Sequence, residues 1–325
     1  MDSSTFELLA RQAGFGRTGF CSTEAFEKEK KRVESGPAIA ERRQLRFDPK
    51  EDYPQAKSLA VMLWPYEQAP IEGGGRLFVD SYYFASNAAY HAARALEEKI
   101  QQAGHFAKAN VSYPAREAAV RAGMGVIGKN GLLITPEYGT RVVILLMSTD
   151  IEFEGVLAEK EGGCLDCDRC VLACPAGAID EKGMSHPERC IRNFMMEGVV
   201  APEHLRKKMG MRLIGCDICQ RVCPMQKKQN QGIKTDLTLD DFMTEDQTVF
   251  SESIARLAEK IGRNTARPQR VRAQAALLSG NRGDSKDLPV LRAWAQMPFE
   301  AVREHALWAI KQIESLGLDQ NKKTE

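Results

Sequence analysis

Eight cysteines at short, repeated spacings are the residues of this chain that most clearly carry chemistry. The first four form a C-x2-C-x2-C-x3-C run followed by proline: Cys164, Cys167, Cys170 and Cys174. The other four form the same run with its first member 26 residues upstream: Cys190, Cys216, Cys219 and Cys223. Two-residue gaps let successive thiolates turn onto one iron–sulfur cube. The pattern therefore predicts two 4Fe–4S clusters and one-electron transfer at low potential.

The expected ligand sets follow from bacterial ferredoxins with two clusters, which these runs resemble. In those proteins the fourth cysteine of each run binds the cluster of the other run. We therefore assign the first cluster, cluster one, to Cys164, Cys167, Cys170 and Cys223. Cluster two is assigned to Cys174, Cys190, Cys216 and Cys219.

Two other uses of cysteine fit the pattern less well. Structural zinc sites use C-x2-C pairs with longer separations, not a four-cysteine run that ends in C-P. A disulfide framework is typical of short secreted chains, whereas this chain has 325 residues and no secretory signal is expected. The ninth cysteine, Cys21, stands alone and is predicted to be a small buried residue.

Composition is that of an ordinary globular protein. Hydrophobic residues make up 43% and charged residues 27%, and the net charge of +1 predicts no general attraction to nucleic acid. The longest apolar run, 142–147, has the length of a strand, so no membrane-spanning helix is expected. Cluster ligands must stay reduced during assembly, which favours the cytoplasm.

Hydrophobic periodicity divides the chain into three predicted domains and indicates an α+β fold class. In residues 1–155, predicted helices (4–14, 81–103, 115–122) alternate with strands (57–64, 141–149). Residues 156–230 form the predicted cluster domain. Residues 231–325 contain four amphipathic segments separated by Gly, Asn, Asp or Pro, which predicts paired helices of HEAT type. These segments are 250–262, 270–280, 287–297 and 299–316.

A glycine-rich loop at 123–131 matches two nucleotide-binding patterns in letters only. Gly123, Gly125 and Gly128 reproduce G-x-G-x-x-G, and Lys129 stands where a phosphate-binding loop has its lysine. The phosphate site of either motif needs a strand before the glycines and a helix after them, whereas here a helix precedes and a strand follows. No nucleotide site is therefore expected. The loop is either ligand-facing or a tight helix-to-strand connection.

In combination, these segments resemble the epoxyqueuosine reductase family and, more distantly, the reductive dehalogenases. The loop 122–130 is similar to the family's A-G-L-G-W-I-G-K-[HN] segment. Runs 164–179 and 215–224 resemble its two cluster motifs, and Arg189-Cys190-Ile191 resembles its isolated cysteine. Tyr90-His91 matches part of a D-Y-H element. The resemblance covers nearly the whole chain, including HEAT-like repeats at the C-terminus.

The resemblance implies a fold, a cofactor and a reaction. It implies a nitroreductase-like N-terminal domain holding base-off cobalamin, beside a two-cluster ferredoxin-like domain. The residues that would line the cofactor are Tyr90, His91, Gly123, Gly125, Gly128 and Lys129. Electrons from a donor such as ferredoxin or flavodoxin would pass through the clusters to make Co(I). In this family Co(I) removes the epoxide oxygen of epoxyqueuosine in a tRNA anticodon, which yields queuosine.

One segment departs from the family pattern. The family has V-D-[ST]-x-P before the glycine loop, and the resemblance implies that its aspartate acts as a general acid. The corresponding segment of this chain is Asn110-Val111-Ser112-Tyr113-Pro114, which contains no carboxylate. Epoxide opening needs a proton on the leaving oxygen, and losing a positioned acid costs about 10²–10⁴-fold in rate. Tyr113 is the candidate substitute, because the resemblance to dehalogenases implies a tyrosine donor; alternatively, it only packs against the next helix. The departure indicates a paralogue with a different substrate.

Two basic groups are candidates for contact with tRNA phosphates, which need clustered cations. The first group is Arg263, Arg267, Arg270 and Arg272. The second is Arg206, Lys207, Lys208 and Arg212. For either group alone, a solvated helix face is the interpretation that we favour.

Three functions remain open from the sequence. The first is a cobalamin-dependent reductase of the epoxyqueuosine type, acting on tRNA or a related small substrate. The second is a corrinoid-activating or dehalogenase-like reductase. The third is a plain two-cluster electron-transfer protein. The glycine–lysine loop argues against the third function, and the missing acid argues against the first.

Overall fold

The computed structural model describes residues 1–37, 44–68, 77–153, 163–165, 167–184, 186–226 and 235–321, with side chains up to residue 316. The predicted domain boundaries, at 155–156 and 230–231, lie outside the described residues. Helices and strands both contribute to the cores, so the fold is of mixed α and β type. No helix among the described residues is long and apolar enough to cross a membrane.

The elements are numbered along the chain. The strands are β1 (Arg17–Ser22), β2 (Ser58–Pro65), β3 (Phe78–Val79), β4 (Ala107–Ala109), β5 (Val126–Ile127), β6 (Leu133–Ile134), β7 (Val142–Thr149) and β8 (Arg212–Ile214). The helices are α1 (Ser3–Gln12), α2 (Glu27–Glu34), α3 (Pro49–Asp52), α4 (Ser81–Gln102), α5 (Ala115–Arg121), α6 (Arg169–Ala173), α7 (Ile191–Glu197), α8 (Glu203–Arg206), α9 (Ile218–Arg221), α10 (Gln247–Ile261), α11 (Pro268–Arg282), α12 (Leu288–Trp294) and α13 (Glu300–Asn321).

A four-stranded sheet of order β1-β2-β7-β4 forms the centre of the N-terminal part, and each neighbouring pair is antiparallel. Helices cover both faces, so β2 and β7 are largely buried and their sequences are unbroken apolar runs. Apolar runs of this kind identify β2 and β7 from the sequence. β1 and β4 are short and carry Gly, Ser or Lys, so periodicity does not reveal them.

Each face of the sheet has its own core. Side chains of α1 and α4 pack on one face against Ala60 and Met62 of β2. Helix α5 packs on the other face against Leu59 and Val61, which alternate with them along the strand. Helix α4 matches the prediction over 81–103; it is capped by the Asp80 carboxylate, which accepts from the Tyr82 amide at 3.0 Å.

A third core joins the C-terminal helices to the cysteine-rich segment. Strand β8 pairs in parallel with β3, which immediately precedes α4. Helices α10–α13 match the four predicted segments, and α11 is buried over 271–280 because α13 and the cluster region surround it. At Gly280, a Cβ would lie 2.9 Å from the Cα of Ala309, so α11 and α13 approach closely. This core fixes the cluster region against both α4 and the C-terminal helices.

Candidate cluster site and adjoining cleft

The four cysteines assigned to cluster one lie around a single cavity. Cys164, Cys167 and Cys170 come from the loop before α6 and its first turn, and Cys223 follows α9. Burial raises the pKa of Cys223, and the thiols of Cys167 and Cys164 raise it further. Clustered thiols that resist ionisation on their own are suited to a site where iron compensates the negative charge.

The four cysteines assigned to cluster two form a second, deeper group. Burial raises the pKa of Cys219 well above its ordinary value, and the thiols of Cys216, Cys190 and Cys174 add to this effect. The Cys170 thiol also acts on Cys219, so the two groups adjoin. The eight thiols therefore lie in two adjoining groups, and this donor set fits two iron–sulfur clusters; the assignment of each thiol to a cluster stays a prediction. Among the described residues, no three His, Cys, Asp or Glu side chains are close enough to share a single metal ion.

The two groups differ in their access to solvent. Cys164 and Cys167 are exposed, whereas Cys190, Cys216 and Cys219 are partly buried. The difference arises because the loop at 163–168 lies at the edge of the fold, while α7, β8 and α9 position the deeper thiols against the third core. Cluster one is therefore the more accessible of the two sites.

A buried polar network supports the loop that carries Cys216. Asp217 is fully buried and accepts from Gln68 Nε2 at 2.5 Å, and it pairs with Arg221 at 2.5 Å. Burial raises the pKa of Asp80 to about 7, and the nearby Asp217 carboxylate contributes to the rise. Gly215 lies against Asp80, with no room for a side chain. The network attaches the second cysteine motif to the N-terminal part of the chain.

The local backbone structure by itself explains each of the glycines that were predicted to line the cofactor. Gly123 has φ of 67° and its amide donates to the Val120 carbonyl at 3.0 Å, as a glycine that ends a helix does. Gly125 has φ of 154°, and a Cβ there would overlap the carbonyl oxygen of Ile134. Gly128 packs on the Ile134 side chain in the same β5–β6 hairpin. This geometry is that of the tight helix-to-strand connection, and contact with a cofactor stays a prediction.

Lys129 lies at cluster one. Its Nζ forms an ion pair of 2.7 Å with Asp168 Oδ1. In the sequence, Asp168 lies between the second and third cysteines of the first run. Lys129, Asn130 and Ile134 also line the cavity that the cluster one thiols line. The hairpin therefore covers one side of cluster one and places a cation beside it.

Tyr90 and His91 are exposed on α4. The Tyr90 side chain is 48% exposed, and its ring meets that of His91 edge-on at 5.4 Å. The Tyr90 carbonyl accepts from Asn110 Nδ2 at 3.3 Å, and Asn110 itself has φ of 58°. The two rings are thus available to a ligand at the start of the 110–114 segment, although no described contact connects them to the glycine loop.

Tyr113 is buried, at 2% exposure, and its hydroxyl donates to Asp52 Oδ2 at 3.0 Å. Burial raises the Tyr113 pKa, and the hydrogen bond to Asp52 raises it further, so the phenol is a weak acid. Asp52 in turn pairs with Arg46, whose amide donates to the Ser112 carbonyl. In this arrangement Tyr113 attaches the 110–114 segment to α3. A role as proton donor stays a prediction.

Arg116 is an additional residue of interest that the sequence motifs did not single out. Its side chain is solvent-exposed, and desolvation by the surrounding protein lowers its pKa. Its guanidinium donates to the Gly131 carbonyl and acts electrostatically on the Tyr82 hydroxyl. The Tyr82 ring lies 5.9 Å from the guanidinium of Arg192. We call the group formed by Tyr82, Arg116 and Gly131 the Arg116 cleft.

The Arg116 cleft adjoins cluster two. Arg192 donates to the Tyr83 hydroxyl at 2.8 Å; burial lowers its pKa to about 10, and the Cys216 thiol opposes this shift. A sequence signal for the cleft does exist. Arg116 occupies the first turn of α5, where the helix dipole disfavours a cation. A cation at a helix N-terminus is a local feature that could have drawn attention to Arg116.

Two members of each predicted basic group make contacts within the fold. Arg206 and Arg272 are buried at 9% and 6% exposure, over the rings of Trp308 and Phe250 respectively. Arg212 lies over Phe78, and Arg270 donates to the carbonyls of Asn264 and Thr265. The cations that remain exposed are Lys207, Lys208, Arg263 and Arg267. A solvated helix face is thus wrong for the buried arginines.

Comparison with known proteins agrees with the cluster geometry. Residues 163–226 match the family model described as 4Fe-4S double cluster binding domain. The epoxyqueuosine reductase of Bacillus subtilis (strain 168) is 32% identical over 204 residues, which cover 61% of this chain and 53% of the relative. That of Lactococcus garvieae (strain Lg2) is 33% identical over 206 residues, covering 61% and 58%. The chain resembles the epoxyqueuosine reductases. It spans a little over half the length of these curated relatives.

Solved structures show the same overall fold. A selenomethionine-labelled epoxyqueuosine reductase superimposes with a TM-score of 0.78 at 24% identity, over 99% of this chain and 94% of that one. The Bacillus subtilis enzyme, solved with its catalytic loop swung out of the active site, gives 0.75 at 25% identity, over 95% and 90%. An epoxyqueuosine reductase with a tRNA-Tyr stem loop gives 0.76 at 24%, over 95% and 89%. The predicted resemblance to epoxyqueuosine reductases is therefore confirmed.

Proposed function

We propose that this chain is an oxidoreductase of the epoxyqueuosine type, which reduces epoxyqueuosine in tRNA to queuosine with two 4Fe–4S clusters and cobalamin. The observation that carries the proposal is a double cluster domain within a chain that is similar to curated epoxyqueuosine reductases over 204 residues. The two groups of four thiols support the ligand sets assigned to cluster one and cluster two.

We infer the finer domain layout from the same comparison. The sheet with α1, α4 and α5 would be the nitroreductase-like domain, residues 1–155. Residues 156–230 would be the ferredoxin-like domain, and residues 231–325 the HEAT-like domain, in which α11 and α13 pack as a pair. The third core contains residues of all three units, including Tyr83 and Phe84 of α4, so the units are expected to pack together.

We propose that cobalamin binds in the Arg116 cleft, beside the rings of Tyr90 and His91 and the predicted glycine–lysine lining. The exposed guanidinium of Arg116 suits the phosphate and amide side arms of cobalamin. The contact from Tyr82 to Arg192 connects the cleft to cluster two. When bound, cobalamin supplies a cobalt centre that low-potential clusters can reduce to Co(I), a strong nucleophile and reductant.

The partners follow from this assignment. A low-potential carrier such as ferredoxin or flavodoxin would supply electrons, and tRNA would be the substrate. A solved epoxyqueuosine reductase holds a tRNA stem loop. The exposed cations Lys207, Lys208, Arg263 and Arg267 are available here for phosphates. A tRNA substrate and eight reduced cysteines favour the cytoplasm.

A second candidate is a paralogue that acts on a different substrate. The observation that favours it is the absence of a carboxylate from the 110–114 segment, together with a Tyr113 hydroxyl that is directed to Asp52. Without a positioned acid, epoxide opening would be slower by about 10²–10⁴-fold. A corrinoid protein or an organic acceptor would be the alternative substrate.

The test is anaerobic purification with cobalamin supplied, followed by assay on tRNA that carries epoxyqueuosine, with nucleosides analysed by mass spectrometry. We expect about eight irons and about one cobalt per chain, and formation of queuosine. Cys216→Ser should lose about half of the iron and the activity, whereas Cys21→Ser should keep both. A fully loaded protein that forms no queuosine would favour the paralogue. Failure to bind cobalt would contradict the cobalamin assignment.

A further inference from the structure

The exposed edge of cluster one has the properties of a docking surface for an electron carrier. We propose that electrons enter at cluster one and that an acidic one-electron carrier protein docks on the surface formed by Leu165, Arg169, Leu172 and Lys208. We call this surface the α6 rim. The inference rests on the two clusters of the proposed function, but on neither cobalamin nor tRNA.

Two leucines of the rim are unusually exposed. Leu172 is 86% and Leu165 is 62% exposed, the highest values among the large hydrophobic side chains that the described residues include. A single exposed leucine is ordinary, whereas exposed apolar side chains that occur together at one site mark an interaction surface. Small, transient redox interfaces need only a limited apolar contact of this kind.

These leucines lie at the cluster rather than elsewhere on the surface. Leu165 is between Cys164 and Cys167, and both Leu165 and Arg169 line the cavity of the cluster one thiols. Arg169 and Leu172 are three residues apart on α6, so they share one face of the helix. A carrier seated on the rim would therefore place its own redox centre directly against cluster one.

The charge of the rim indicates the type of carrier. Arg169 is exposed, and no ion pair is seen for it within the described ranges. Lys208 donates to the Pro175 carbonyl at 2.9 Å, just beyond the end of α6. The adjacent carboxylate, Asp168, is already paired with Lys129 at 2.7 Å. The described side chains of the rim therefore carry a net positive charge around an apolar centre, which attracts an acidic partner and steers its approach.

The arrangement of the thiols gives the direction of electron flow. A reduced carrier seated on the rim would give up one electron, and an iron–sulfur cluster held by Cys164, Cys167, Cys170 and Cys223 would accept it. The adjoining Cys170 and Cys219 then connect cluster one to cluster two, which lies beside the Arg116 cleft. A carrier that docked at cluster two would have to reach the less accessible thiols Cys190 and Cys216.

The test is anaerobic stopped-flow reduction of the cluster-loaded protein by two reductants. One is a photoreduced acidic ferredoxin, which must dock, and the other is sodium dithionite, which needs no docking surface. For Lys208→Glu and for Leu172→Glu we expect reduction by ferredoxin to slow by about tenfold at low salt, and dithionite rates to stay unchanged. The matched control is Leu8→Glu, since Leu8 is 57% exposed on α1, away from the clusters.

Several outcomes would overturn the proposal. Ferredoxin rates that match the wild type in both rim variants would exclude this surface. Analytical sedimentation could show that the wild type is a dimer and that the rim variants are monomers. That result would mean that the rim binds a second copy of the chain instead of a carrier. If Leu172→Glu lowers the iron content, Lys208→Glu alone carries the expectation, because Lys208 is on a segment without cluster ligands. Neither cobalamin nor tRNA is present in the assay, so it is independent of the proposed reaction.

Discussion

His305 provides the sharpest quantitative prediction, because it is buried in a neutral form between three segments. Its side chain on α13 is 2% exposed. Nε2 accepts from the Ala201 amide at 2.9 Å, and Nδ1, 2.9 Å from the Ala273 carbonyl, must then be the donor. Burial lowers the His305 pKa from 6.5 to about 4. Protonation would leave Nε2 without a lone pair for the Ala201 amide.

The sign and size of the pH effect follow from linkage. Below pH 6.5 the unfolded chain binds a proton at this position that the folded chain cannot bind until about pH 4. The contribution of neutral His305 to the free energy of unfolding is therefore fully present above pH 6.5 and is lost as the pH falls through about 4. The two pKa values differ by about 2.5, and each unit is worth about 1.36 kcal/mol, so the whole loss is about 3 kcal/mol. Between pH 7.5 and pH 5.0 the loss is about 2 kcal/mol.

The assay is anaerobic hydrogen exchange of the α11 and α13 amides from pH 7.5 to 5.0, corrected for intrinsic exchange rates. Over this range the free energy of opening should fall by about 2 kcal/mol more in the wild type than in His305→Gln, because glutamine does not titrate. His204→Gln, an exposed position on α8, is the control and should follow the wild type. Parallel profiles for wild type and His305→Gln would refute the reasoning, as would an NMR titration of His305 near pH 6.5.

Three further predictions concern buried groups. Burial raises the Asp80 pKa to about 7, so wild-type stability falls as the pH rises from about 4 to 7; Asp80→Asn should remove that fall in chemical unfolding. Gly125→Ala should lower stability by about 1–3 kcal/mol, seen as a lower Tm, because its Cβ would overlap the Ile134 carbonyl. Tyr113→Phe should cost about 1–3 kcal/mol in unfolding free energy, since Asp52 loses a buried donor.

The controls for these variants come from the chain itself. Gly163→Ala, where a Cβ would meet nothing within 4 Å, should leave the Tm unchanged. Tyr90→Phe, at a half-exposed ring, should change the unfolding free energy by less than about 0.5 kcal/mol. A pH profile of Asp80→Asn that matched the wild type would show that Asp80 ionises normally. A Tyr113→Phe protein as stable as Tyr90→Phe would show that the bond to Asp52 contributes nothing.

Local patterns predicted much of the secondary structure. Apolar residues at helical spacing gave α4 and α10–α13 to within a few residues, with the largest difference at the end of α13. They did so because each of these helices buries one continuous face, or in α11 nearly its whole surface. Strands β1 and β4 and the parallel pair β3–β8 were missed, because their strands are short and depend on partners far away in sequence.

In the candidate site, too, some features could be predicted from the sequence and others could not. The cysteine spacing predicted that eight thiols bind iron–sulfur clusters, because short gaps limit which sulfurs can converge, and the resemblance to two-cluster ferredoxins supplied the division into two sets, which stays a prediction. The proposed lining of Gly123 and Gly125 rested on the family resemblance, and the structure shows that a helix end and a hairpin already require both glycines. The buried state of Arg206 and Arg272 was also not foreseen, because an arginine within a basic run gives no sign of an aromatic ring beneath it.

The sequence by itself determined the redox chemistry, since ligand type and spacing are properties of a short segment of chain. Only the tertiary structure decided which cluster is exposed, which lies beside the Arg116 cleft, and that Tyr113 binds Asp52. The physical reason is distance along the chain. Asp52 and Tyr113 are 61 residues apart, and Tyr83 and Arg192 are 109 apart. Contacts of this range depend on how whole elements pack, which no local pattern encodes.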